Sequence, residues 1–185
     1  MAIGDWRLAI GDVDVRSVDG DIAVDAAGAE IVVVDAKGTI TLHTGWGGAT
    51  LTNVSGLITF DTGSGEVSAR HISGQGLITD SGSGGVTLDG CSCSTVSIET
   101  GSGSLRVTDM TVRTLSMDTG SGDVAPGLKN SPGSIIIDSG SGSVTLTLPA
   151  DFNTPLDIDY GKRWHYVPFP AAAYELITRR DARKN

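Results

Sequence analysis

Two stretches of the chain, Asp61-Thr62-Gly63-Ser64 and Asp118-Thr119-Gly120-Ser121, carry the residue types of acid proteolysis. That chemistry needs two carboxylates close enough to share one proton, brought together from two lobes or two subunits. The spacing argues against it. The pattern returns as Asp80-Ser81-Gly82-Ser83-Gly84, Glu99-Thr100-Gly101-Ser102-Gly103 and Asp138-Ser139-Gly140-Ser141-Gly142, so that the five copies follow one another in steps of 19, 19, 19 and 20 residues. A short motif at a constant period belongs to a stacked architecture. Neighbouring copies then lie one above another along an edge and do not face each other across a cleft.

In such a stack Asp61, Asp80, Glu99, Asp118 and Asp138 form a column with a spacing of about 5 Å, where like charges repel. Each carboxylate can be relieved by bonding the backbone N–H groups of its own Gly-Ser-Gly turn. Alternatively, Ca²⁺ between coils can neutralise it. The first arrangement needs no ion and is the expectation, so the five acids stand as a disfavoured metal site and no cofactor is expected.

Other reactive residues add little. Cys91 and Cys93 share one face of a strand, with Cys91 in the apolar register; zinc would need four ligands, and no second cysteine pair exists. His43, His71 and His165 have no common spacing with one another or with a Ser–Asp partner, so no triad is supported. The recurrent Gly-x-Gly is not followed by Lys-Ser/Thr and is not a phosphate loop. Asn53-Val54-Ser55 is formally a glycosylation sequon. Thr39/Thr41, Thr50/Thr52, Thr95/Ser97, Thr114/Ser116 and Thr145/Thr147 hint at an ice-binding Thr array, but the column of Thr41 and Thr59 continues as Ile78, Ser97, Ser116 and Ile136, which breaks it. The expectation is a protein that is not an enzyme.

Around each turn lie two short runs in which apolar and polar residues alternate, the period of a half-buried strand. Ile58, Phe60, Val67, Ala69 and Ile72 are followed one step later by Leu77, Thr79, Val86, Leu88 and Cys91, then by Val96, Ile98, Leu105, Val107 and Met110. Steps of 18 run backwards through Ile40 and Ile22. The first unit, Trp6, Leu8, Val13, Val15 and Val18, is expected to have a turn two residues shorter. A unit this short cannot bury its apolar face alone and must stack on its neighbours. The fold class expected is all-β: a single parallel β-helix, or β-solenoid, of about eight coils over residues 5–148. Right-handed winding is the expectation, although the pattern carries no signature of hand. A helical alternative fails because Gly and β-branched residues are abundant and no 3.6 period exists.

Of the 185 residues 26 are Gly, but they are periodic and mark turns. The net charge of −9 is uneven: residues 1–160 hold 20 acids and 7 bases, and residues 161–185 hold 2 acids and 6 bases. An acidic rod repels nucleic acid, which is not expected as a partner. No secretory signal is visible in Met1-Ala2-Ile3-Gly4-Asp5. Residues 149–185 hold six of the nine aromatics and are expected to cap the last coil. They are also the expected docking segment, with Trp164, Tyr166, Phe169, Tyr174, Arg179, Arg180, Arg183 and Lys184 as interface residues. A protein partner or a second copy is favoured there over an anionic membrane surface.

With the Asp-Thr/Ser-Gly-Ser-Gly turn and the passage from Gly142-Ser143-Val144 to Leu148-Pro149-Ala150 in hand, the chain resembles the adhesin-like β-solenoids of bacterial envelope and surface proteins over about residues 20–150. The resemblance implies a non-catalytic, structural role in the cell envelope or outside the cell. The alternatives are an accessory scaffold subunit, a polysaccharide-binding or polysaccharide-cleaving β-helix, and an ice-binding protein.

Overall fold

The computed structural model describes residues 4–152 and 157–160, with side chains from residue 11 to residue 152. The described chain is built from strands, without a helix. In order they are β1 (Gly4–Ile10), β2 (Val13–Asp19), β3 (Ile22–Gly28), β4 (Ile31–Trp46), β5 (Ala49–Ser64), β6 (Val67–Arg70), β7 (Ser73–Ser83), β8 (Val86–Asp89), β9 (Ser92–Ser102), β10 (Leu105–Thr119), β11 (Val124–Leu128), β12 (Ser134–Ser139) and β13 (Asp157–Tyr160).

Each strand pairs in parallel with the segment one coil away. On one arm the register runs Ile22, Ile40, Ile58, Leu77, Val96, Leu115, Ile135. On the other it runs Val13, Ile31, Ala49, Val67, Val86, Leu105, Val124 and, by a single bridge, Val144. The chain is therefore a parallel β-solenoid. Long strands such as β4 and β5 pass through one corner without a break, because the backbone stays paired to the next coil while it bends.

The inward residues of both arms, with Ala36, Val54, Ile72, Cys91, Met110 and Leu128 at the bend between them, make one continuous buried core. Phe60 is its largest side chain, and the registered positions above and below it are Leu42 and the smaller Thr79. Thr79 and Ser81 bury their hydroxyls without a hydrogen-bond partner.

The first coil departs from the expected register. Gly4, not Trp6, aligns with Ile22, and Trp6 aligns with Val24, so the step is the same 18 residues as in the coils that follow. Apolar matching alone favours Trp6 opposite Ile22. The 18-residue step keeps β1 on the ladder that β3 and β4 share, and hydrogen-bond continuity outweighs the apolar match. At the other end β13 adds a rung past residue 148, with Ile158 aligned to Ile137. Phe152 of the expected cap packs, partly buried, against the core, and residues 153–156 and 161–185 lie outside the described residues.

Candidate functional site

The corner that carries the repeated motif is held by its glycines. Gly65 has φ of +154°, and a Cβ there would lie 2.1 Å from the carbonyl oxygen of Gly47 one coil earlier; a Cβ on Gly63 would lie 2.5 Å from Gly45 O. Only glycine lets consecutive turns approach this closely. The residue before the first glycine points inward. Thr62, Thr100 and Thr119 are buried and donate their hydroxyls to Gly47 O, Gly84 O and Gly103 O at 3.1, 3.2 and 3.2 Å. Ser139 makes a longer version to Gly122 O. The acid and the serine of the motif are exposed at each of the five copies.

Register extends the acid column in both directions. By Cα pairing it reads Arg7, Asp25, His43, Asp61, Asp80, Glu99, Asp118, Asp138, Asp159. His43 Nδ1 lies 3.5 Å from Asp61 Oδ2. The expectation that each acid bonds its own turn is not met at Asp61, Asp80, Glu99 or Asp118. The turn amides are already spent: Gly65, Gly84, Gly103 and Gly122 donate to Ser83 O, Ser102 O, Ser121 O and Ser141 O of the next coil, at 2.8–3.0 Å. The acids are exposed, where solvent screens their repulsion. A neighbouring exposed pair at about 4.8 Å repels by only about 1 kcal/mol in bulk water, and less in salt. Among the described residues no group of three His, Cys, Asp or Glu is placed to hold a metal ion. Asp61 and Asp118 stand three rungs apart on one edge, about 14 Å along the stack, and do not form a proteolytic pair.

The outward face beside this column holds Thr41, Thr59, Ile78, Ser97, Ser116 and Ile136 in one line, the broken array expected from the sequence. Ile78 and Ile136 are exposed there. Trp46 is exposed at the end of β4, against Gly28 of the previous coil, where a Cβ would enter its ring. Cys91 and Cys93 are buried free thiols. Burial raises both above the usual thiol range, Cys93 to about 11, so neither is a ready nucleophile or metal ligand at neutral pH.

The opposite corner holds what the sequence reading missed. Ser17, Asp35, Asn53, His71, Gly90 and Asp109 follow one another at steps of 18 or 19 residues and all adopt φ between 53° and 63°. Small polar residues and glycine tolerate this left-handed conformation best, and the pattern was legible as a column of Asp, Asn, Ser, His and Gly. Asn53 Nδ2 donates to Asp35 Oδ1 at 3.0 Å, which ties two of these bends together.

Just past that bend the coil lengthens from 18 to 19 residues. Gly56 aligns with Gly74 but Leu57 with Gly76, leaving Gln75 as an extra residue. Ser94 and Arg113 take the same place on the next two coils, because Cys93 aligns with Gly74 and Val112, and Thr95 with Gly76 and Thr114. This stacked bulge borders an open groove of about 410 Å³, lined by Ser92, Ser94, Thr111, Arg113, Asn130 and Ser131 over a floor that includes Cys93 and Val112. Asn130 fixes its wall by accepting from Val112 N at 2.9 Å and donating to Val112 O at 2.7 Å.

Charge is divided around the cross-section. Arg16, Lys37, Arg70, Arg106, Arg113 and Lys129, all the Lys and Arg with described side chains, lie on the second arm or at the bulged corner. The arm bearing the acid column has none among the described side chains.

A solenoid of 18–20-residue coils with this parallel register matches the family described as Toastrack DUF4097 over residues 5–165. The chain belongs to that family. No curated protein and no solved structure matches it. The Toastrack match spans both the ladder and the start of the C-terminal segment, and its description names no activity. Trp164, Tyr166, Phe169, Tyr174, Arg179, Arg180, Arg183 and Lys184 of this Toastrack chain lie outside the described residues. No helix among the described residues is long and apolar enough to cross a membrane.

Proposed function

We propose that this Toastrack chain is a non-catalytic, rigid module of a bacterial envelope or surface assembly, adhesin-like in role, which docks through its C-terminal segment. The observation that supports the reading is the glycine corner. At each coil the turn packs against the preceding carbonyl with no room for a Cβ, which suits a spacer that keeps its shape under load. Its acids are strung along an edge in water, one per coil, an arrangement that presents charge over a length and does not concentrate it on one bond. The basic residues of 161–185 offer an acidic partner the complementary sign.

Incubation of the purified protein with pectin- and alginate-like polymers tests the non-catalytic part, with no unsaturated oligosaccharide expected. Fractionation of cells expressing the full gene tests the location, with the protein expected in the envelope or medium. Release of oligosaccharide, or a wholly cytoplasmic distribution, contradicts the reading.

A further inference from the structure

We propose that the groove at the bulged corner binds a compact oxyanion, a phosphate or the carboxylate of an acidic sugar, with Arg113 as its charge partner. The chain keeps an extra residue at this corner on three successive coils, Gln75, Ser94 and Arg113, and the groove opens beside the second and third. A bulge retained in stacked coils re-aims side chains where a flush corner would leave none.

The lining is one-sided in its chemistry. It contains a guanidinium and the exposed hydroxyls of Ser92, Ser94 and Thr111, and no carboxylate. Among the described residues Arg113, like Lys37, Arg70 and Arg106, makes no ion pair, whereas Arg16 and Lys129 are paired with Asp14 and Asp109. A guanidinium presents a planar fork of donors that fits phosphate or carboxylate oxygens, and hydroxyl donors complete such a shell. Asn130, fixed at both ends to Val112, holds the wall in place before any ligand arrives. A second groove of about 370 Å³ at the same corner, on the N-terminal side of the bulge, is lined by both Asp21 and Lys37 and has no such bias. The groove volume suits one sugar-sized or smaller group. The acid column lies farther along the same strands, with Glu99 five residues past Ser94 on β9 and Asp118 five past Arg113 on β10, about 16 Å away and beyond the Debye length at physiological salt.

The test is a titration of the ¹⁵N-labelled full chain at constant ionic strength with inorganic phosphate, glucuronate and, as the neutral control, glucose. Saturable shifts are expected at the amides of residues 92–95 and 111–114 with one or both anions, and which anion acts distinguishes the two sources. Arg113→Gln is expected to weaken binding about tenfold or more. Arg113→Lys keeps a positive charge and should retain part of the affinity, and Arg106→Gln should leave binding unchanged. The absence of saturable shifts with both anions, equal shifts with glucose, or undiminished affinity in Arg113→Gln overturns the proposal. Thermal melts of the variants, expected to match the parent because Arg113 is exposed, separate loss of binding from loss of fold.

Discussion

The hydroxyl of Thr62 lies inside the solenoid and donates to the carbonyl of Gly47, one coil earlier, at 3.1 Å. The bond crosses between coils beside the glycine corner, where the turn backbones lie too close for a Cβ. Thr62→Val keeps the shape and deletes the donor, and should cost about 1 kcal/mol in chemical denaturation. Gly65→Ala should cost more, about 3 kcal/mol, because a methyl group meets Gly47 O and the φ of +154° is unfavourable to any side chain. A Gly65→Ala variant as stable as the parent would show that the corner is not closed by carbonyl contact.

Thr79 offers the opposite sign. Its hydroxyl is buried without a partner in a column of apolar residues, between Phe60 and Ile98. Thr79→Val removes an unsatisfied polar atom at nearly constant volume and should raise stability by about 1 kcal/mol. A loss of stability would point to a bond that this hydroxyl makes in solution.

The buried thiols predict an alkaline limb. Burial lifts Cys93 to about 11 from the ordinary 9.0. Above pH 9 the unfolded chain releases this proton while the folded chain keeps it, so the unfolded state binds fewer protons and stability falls as pH rises. The fall should run from about pH 9 to about pH 11 and amount to roughly 2 kcal/mol. Urea melts across that window should show the limb, and Cys93→Ala should flatten it.

The acid column predicts a response to salt and none to chelator. Raising NaCl from about 20 to 200 mM should raise the melting temperature slightly by screening the repulsion between Asp61, Asp80, Glu99 and Asp118. EDTA should leave it unchanged. A drop of many degrees with EDTA, restored by Ca²⁺, would mean that a cation is held between coils and contributes by linkage.

The solenoid was legible because its core is written as apolar columns: Ile58, Leu77, Val96 and Leu115 could be aligned by counting, and they align in space. The first coil was not, since hydropathy rewards Trp6 opposite Ile22 while hydrogen-bond continuity places Gly4 there. The relief of the acids was misjudged at Asp80 for a related reason. Whether a turn amide is available depends on whether the next coil has already claimed it, as Ser102 O claims Gly84 N. The groove around Arg113 was hidden because an insertion at a corner leaves both flanking strands in phase, so neither apolar pattern records it. Its signal was a change of period from 18 to 19 at Gln75, together with the left-handed column from Ser17 to Asp109.

The most direct test of the proposed function removes residues 175–185, which hold Arg179, Arg180, Arg183 and Lys184, from the full-length gene. The account predicts that the shortened protein keeps its β-type circular dichroism and melting temperature but no longer co-sediments with the envelope fraction or associates with itself or its partner. A shortened protein that still assembles as the parent does would contradict it.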